Sequence, residues 1–188
     1  TGKNIFRIDM EAAGLRIAQD PWIEKANVTR RLPSTIMIEI KEREAAAAVA
    51  VGSDVYLCTH EGELFKKIEQ GDPGNLVVIT GIEPEQITKD RSAVVKRVRG
   101  ALDLLGQYER RGPNKRLPVQ EIHLLADGTA RMTVGKDAVT LELGRYPYGN
   151  KILKAARVLD EVARRNAEPS VVFLDNDAHP ERVVVRMR

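Results

Sequence analysis

This sequence predicts an α+β fold in two parts: a helix-plus-hairpin unit over residues 1–43, then a mostly antiparallel β-sheet domain with two helices over residues 44–188. Three patterns carry that expectation. Near the start, a stretch with helical spacing is followed by two alternating apolar runs across Pro33-Ser34. Alternation then lapses over residues 45–48, and further on an Asp127-Gly128 turn joins alternating runs that lie between two longer helical stripes.

In the first part, Met10, Ala13 and Ile17 fall on one side of a helix over residues 9–20, with Asp9 placed to cap it and Pro21 just beyond its end. Trp22, Ala26, Val28 and Leu32 share one parity, and Ile36, Ile38 and Ile40 alternate likewise, so two strands are expected to meet at a tight turn. The alanines at 45–48 supply little side-chain volume and set a domain boundary near Arg43. Short strands are expected at 55–59 and 64–67, around Glu61-Gly62, and at 76–80 after Asp72-Pro73-Gly74.

A helix over residues 90–108 follows from Val94, Val98, Ala101, Leu102 and Leu105 recurring behind Asp90, with Gly100 and Gly106 as weak points. Strands at 119–125, 130–134 and 139–143 form a meander. Ile152, Ala156, Leu159 and Ala163 then define the stripe of a second helix. Two closing strands, 171–174 and 182–187, are joined by residues 175–181.

Of the 188 residues, 43% are hydrophobic and 30% charged, a balance that supports a packed core and argues against extended disorder. No apolar run approaches the roughly 20 residues of a bilayer span. The opening Thr1-Gly2-Lys3-Asn4 does not resemble a secretion signal, so a targeting or anchoring segment is expected outside this chain. The single cysteine, Cys58, excludes an internal disulfide framework, and with three scattered histidines leaves too few soft ligands for structural zinc. Cys58 closes the strand pattern Val55-Tyr56-Leu57-Cys58 and reads as a buried inert thiol; as a nucleophile it would have only His60 near it in sequence.

Net charge is +3, and the excess gathers where Arg91, Lys96, Arg97, Arg99, Arg110, Arg111, Lys115 and Arg116 are opposed only by Asp103 and Glu109. Phosphate binding needs such a cluster, but a solvated helix face produces one too. Only Tyr108 lies in that stretch to stack a base, so no nucleic-acid partner is expected.

Four short stretches occur in order: Gly2-Lys3-Asn4-Ile5-Phe6-Arg7-Ile8-Asp9, Pro21-Trp22-Ile23-Glu24-Lys25-Ala26-Asn27-Val28, Arg31-Leu32-Pro33-Ser34-Thr35-Ile36 and Glu42-Arg43. They resemble the latter part of a POTRA domain of the FtsQ/DivIB family, whose pattern runs G-x-N-x-F-x-x-D, P-W-V-x-x-A-x-V, R-x-P-x-T-[LI] and E-R. Later elements resemble that family's β domain: Tyr56-Leu57 with Gly62 and Phe65, Ile79 with Gly81-Ile82, Leu141 with Leu143-Gly144, and Val171 with Phe173-Leu174-Asp175. Thr59 stands where the family often has Asp, and Asn176-Asp177-Ala178 where Leu-Arg-Tyr is common.

The resemblance implies that residues 1–43 are the C-terminal part of a POTRA domain, with its first strand and helix absent here, and that residues 44–188 are an FtsQ-type β domain. Trp22 would be a large core anchor, and the face of Ile36, Ile38 and Ile40 would cover the helix. It implies a single-pass protein of the cell inner membrane, anchored through a segment not present in this chain, with this part in the periplasm or otherwise outside the cytoplasmic membrane. Its function would be that of a non-enzymatic divisome scaffold without cofactors, binding FtsB-like and FtsL-like proteins at the septum and helping control septal peptidoglycan synthesis.

In that family the final strand and its approach receive FtsB, which makes Asp175, Asn176, Asp177, Arg182, Val183, Val184, Val185, Arg186 and Met187 the expected partner-binding residues. A terminal strand at a sheet edge leaves backbone groups for an incoming strand, although charge on such an edge also serves to guard it. Val183 and Val185 would face one side and Arg182, Val184 and Arg186 the other, and a proline at Val184 would interrupt an added ladder if its N–H faces the partner. An alternative is a POTRA-containing component of outer-membrane protein assembly or secretion, in which POTRA units precede a membrane barrel. An enzyme would have to use Asp175, Asp177 and His179 as metal ligands or an acid/base pair, yet Asp and Asn are equally at home in a turn between strands. No phosphate-binding glycine loop, nucleophile elbow, His-Glu-x-x-His helix or Cys-x-x-Cys pair occurs.

Overall fold

Asp9 starts the first helix as its position predicts, its Oδ1 accepting a hydrogen bond from the Ala12 N–H at 3.1 Å, and α1 then runs Met10–Ile17. The computed structural model describes residues 6, 8–176, 178, 179 and 181–188, which divide into two units, Thr1–Ala45 and Ala46–Arg188. In the first unit β1 (Ile23–Arg31) and β2 (Thr35–Glu42) form an antiparallel hairpin that pairs Ala26 with Ile40, Val28 with Ile38 and Arg30 with Ile36. Helix α1 packs over β1, where a Cβ on Gly14 would meet the Ala26 carbonyl and a Val28 methyl, each at 3.7 Å.

Two expectations for this unit need correction. The isoleucine face does not cover the helix, because α1 lies over β1 and leaves Ile38 and Ile40 about half exposed, at 50% and 51%. Trp22 is only half-buried, and no residue of α1 is fully enclosed. One helix on two strands has too little material to close a core.

The second unit is built around a nine-stranded sheet. Its strands are β3 (Ala47–Val51), β4 (Asp54–Cys58), β5 (Leu64–Lys67), β6 (Val78–Ile82), β7 (Val119–Leu124), β8 (Ala130–Val134), β9 (Val139–Gly144), β10 (Pro169–Phe173) and β11 (Val184–Met187). Their spatial order is β11-β10-β9-β8-β7-β6-β3-β4-β5. Most neighbours run antiparallel. The parallel pairs β6–β7 and β9–β10 are bridged by helices α3 (Arg91–Arg111) and α4 (Gly149–Arg164), which pack against each other, and β3 and β6 are parallel as well.

Strand β3 escapes the sequence pattern for a physical reason. It is interior to the sheet and almost wholly buried, so the polar alternation that marks a half-exposed strand is absent. Helix α2 (Pro84–Lys89) was also unforeseen; Glu83 and Gln86 form a capping box around Pro84 at its start. In α3 the enclosed face is Val94, Val98, Ala101, Leu104, Leu105 and Tyr108, with Leu102 only half-buried. In α4 it is Ile152, Ala155 and Leu159, with Ala156 half-buried and Ala163 exposed.

The junction of β6, β7 and α3 is the tightest point of the sheet. Gly81 has φ +86°, and a Cβ there would stand 1.9 Å from the Leu124 carbonyl oxygen, so no larger residue fits. Arg97 reaches in from α3, its guanidinium donating to the carbonyls of Gly81, Leu124 and Leu125, each at 3.3 Å, and to Gln86 Oε1 at 2.8 Å. These bonds fasten α3 to the backbone at the ends of β6 and β7. Among the described residues, no helix is long and apolar enough to cross a membrane.

Replacing Gly81 with Ala is expected to destabilise the second unit by about 3 kcal/mol or more, read by denaturant unfolding. Burial raises the Cys58 thiol from its ordinary 9.0 to about 11, and it also raises the Tyr108 hydroxyl, which donates to the Leu117 carbonyl at 2.9 Å. For both groups the folded state holds the neutral form after the unfolded chain has begun to lose its proton. Stability from Cys58 is therefore complete below pH 9 and falls as pH rises toward about 11, by about 3 kcal/mol in all. Alkaline unfolding curves check this: Cys58→Ala should flatten the decline that begins near pH 9, and Tyr108→Phe the part that begins near pH 10.

Candidate partner-binding edge

Strand β11 closes one end of the sheet and, among the described residues, pairs only with β10. The hydrogen-bonding sense of that edge follows from two bonds: Arg188 N–H donates to the Glu168 carbonyl at 3.0 Å, and Leu174 N–H donates to Glu142 on β9 at 2.8 Å. Backbone groups of alternate residues point to opposite sides of a strand. The N–H and C=O of Val184 and Arg186 therefore face β10, opposite Phe173 and Val171, and those of Val185 and Met187 face outward. A proline at Val184 would cut the β10 ladder; at Met187 it would remove an outward donor.

Side chains on this edge divide as their parity predicts. Val183 and Val185 are half-buried and pack on the core. Val184 is 60% exposed, Met187 44%, and Arg182 and Arg186 are exposed. The Arg186 guanidinium lies 5.6 Å from the centre of the Phe173 ring, a cation–π contact that holds it over the edge, and Ser170 Oγ donates to the Arg186 carbonyl at 3.0 Å. No acidic partner for Arg182 or Arg186 occurs among the described residues.

Asp175 and Asn176 are exposed on the way out of β10. A Cβ on Gly144 would stand 2.9 Å from the Asp175 Cβ, which gives the Leu141-x-Leu143-Gly144 motif a physical meaning: glycine lets this segment pass. Asn176 Oδ1 accepts from His179 N–H at 3.0 Å, and the His179 carbonyl accepts from Arg182 N–H at 2.9 Å, so Asn176 and His179 shape the approach to β11. Asp177 lies outside the described residues. His179 Nδ1 is 3.5 Å from Glu181 Oε1, and among the described residues no three His, Cys, Asp or Glu side chains gather to hold a metal ion.

A polar cluster that sequence reasoning missed sits on β6 and β7, where Thr80 Oγ1 lies 2.6 Å from Glu121 Oε1 and 2.7 Å from His123 Nδ1. A carboxylate only accepts, so Thr80 donates to Glu121 and receives a hydrogen from His123. That is the reverse of a hydroxyl activated by a histidine base. Cys58 is fully enclosed and its thiol is pushed upward, away from thiolate chemistry.

The opposite edge of the sheet is built differently. On β5, Lys66 pairs with Asp72 at 2.5 Å and Glu69 at 3.1 Å, and Lys67 with Asp54 at 2.7 Å. Lysines held on an edge strand discourage pairing with another chain. The two ends of the sheet thus differ in kind: β5 carries fixed charge, and β11 carries an exposed valine and methionine with outward backbone groups.

Residues 1–43 match the model of the POTRA domain, FtsQ-type, and residues 47–175 match that of cell division protein FtsQ/DivIB, C-terminal. Strand β11 lies beyond the second match. Cell division protein FtsQ of Myxococcus fulvus is 31% identical over 186 residues, covering 99% of this chain and 64% of that protein. FtsQ of Anaeromyxobacter sp. is 34% identical over 187 residues, with 99% and 63% covered. Cell division protein DivIB of Clostridium botulinum is 29% identical over 108 residues, 57% of this chain and 42% of that protein. The chain thus spans a little under two thirds of the length of the first two relatives. These matches, which run through both units, show that the chain belongs to the FtsQ/DivIB family of cell-division proteins.

Proposed function

We propose that this chain is the extracytoplasmic, partner-binding part of a divisome scaffold, and that it engages FtsB-like and FtsL-like proteins by accepting a partner strand along β11. The observation that carries the reading is the unpaired outward row of β11, with the N–H and C=O groups of Val185 and Met187 available and no ion pair guarding them among the described residues. A strand added there gains backbone hydrogen bonds, and Arg182 and Arg186 can meet partner carboxylates beside the ladder. Residues 1–43 would be the POTRA portion and residues 44–188 the β domain, with the membrane anchor in a segment outside this chain. The work is done by surfaces, without catalysis or cofactor, and septal peptidoglycan synthesis is influenced through the proteins held.

Calorimetry with a soluble complex of FtsB and FtsL tests the docking. Arg186→Glu is expected to weaken binding by about tenfold through charge, with the fold unchanged by circular dichroism. Met187→Pro should weaken it by at least as much, by removing an outward donor while leaving the β10 ladder in place. Wild-type affinity in both variants would put the partner site elsewhere.

A further inference from the structure

Helix α3 contains one glycine, Gly100, that its own fold does not explain. A Cβ on Gly100 would meet nothing within 4 Å, so neither packing nor backbone geometry demands glycine there, although glycine weakens a helix interior. Gly106 leaves room for Arg110, whose guanidinium Nη1 lies 3.1 Å from the point where a Cβ would stand. Gly100 and Arg110 border one feature. A cleft of about 420 Å³ runs between α3, the turn joining β7 to β8, and the connection from β9 to α4.

The cleft lies beyond the carboxyl ends of β7 and β9, beside the start of the connection from β9 to α4. Its size falls in the range of small-molecule sites. At one side Tyr146 is 76% exposed and stands perpendicular to Tyr148, with ring centres 5.9 Å apart, so an aromatic ring is presented to solvent beside the opening. Asp103, Gln107 and Arg110 project from α3 along the rim. Ala101 and Leu104 beneath them are each only 1% exposed, and Leu124 and Leu125 line the side toward β7.

An exposed tyrosine, planar hydrogen-bonding side chains, a guanidinium and the open space over Gly100 suit a ring that has a C–H face, several hydroxyls and a negative charge. We propose that this cleft binds an acidic saccharide. The ring lies on Tyr146 above Gly100, its hydroxyls bond to Asp103 and Gln107, and its carboxylate meets Arg110. This site is separate from the β11 edge, and its occupation does not depend on the partner reading above.

NMR titration of the whole chain with N-acetylmuramic acid tests the proposal. Saturable amide shifts are expected at Gly100, Gly128 and Thr129, and they should be lost in Tyr146→Ala and in Arg110→Glu. N-acetylglucosamine, which lacks the carboxylate, should bind about tenfold more weakly. Gly100→Ala separates ligand binding from helix stability: it should raise Tm by roughly 2 °C and yet reduce affinity several-fold. The proposal is overturned if the saccharide produces no saturable shift, if Tyr146→Ala binds it unchanged, or if only an acidic peptide moves these amides.

Discussion

The close approach of β6 to the end of β7 governs the sheet domain. At Gly81 the backbone of one strand comes so near the Leu124 carbonyl that no side chain can intervene. Arg97 donates from α3 to the carbonyls of Gly81, Leu124 and Leu125, which ties the helix to the strand ends and, through Gln86, to α2. Fixing α3 in this way sets the enclosed face from Val94 to Tyr108 over the middle of the sheet. The neighbouring meander and α4 then build outward toward β10 and β11.

A sheet closes its interior hydrogen bonds by adding strands, and it leaves two rows unsatisfied at its ends. In this domain those rows are treated differently. Lys66 and Lys67, held by carboxylates, make β5 a poor template for another chain. On β11 the inward valines hold the strand to the core, while Arg186 is steadied over Phe173 and the outward backbone remains. On the proposed docking to β11, one residue's parity decides whether a substitution damages the scaffold or the outward row.

Much of this was legible in the sequence, for reasons that differ by element. The helix capped by Asp9, the hairpin after it, the meander around Asp127-Gly128 and the two long helices announce themselves because each carries its apolar residues at one period and is started or turned by residues suited to the task. Strand β3 was hidden because burial and alanine erase alternation, and the enclosed faces of α3 and α4 shifted by a position or two because Leu104 and Ala155 sit as plausibly on either side of the stripe. Side-chain parity along the last strand was readable. The direction of its hydrogen bonds was not, since it depends on how β10 pairs with β9, a relation between distant segments. The cluster of Thr80, Glu121 and His123 was likewise hidden, because it forms only when β6 and β7 lie side by side.

The most direct measurement of the central claim is residue-resolved amide exchange along β11 with and without the soluble complex of FtsB and FtsL. A partner strand added to the free edge should protect the Val185 and Met187 amides on binding, while those of Val184 and Arg186, already turned toward β10, change little. Binding that leaves Val185 and Met187 exchanging as in the free protein would contradict the account.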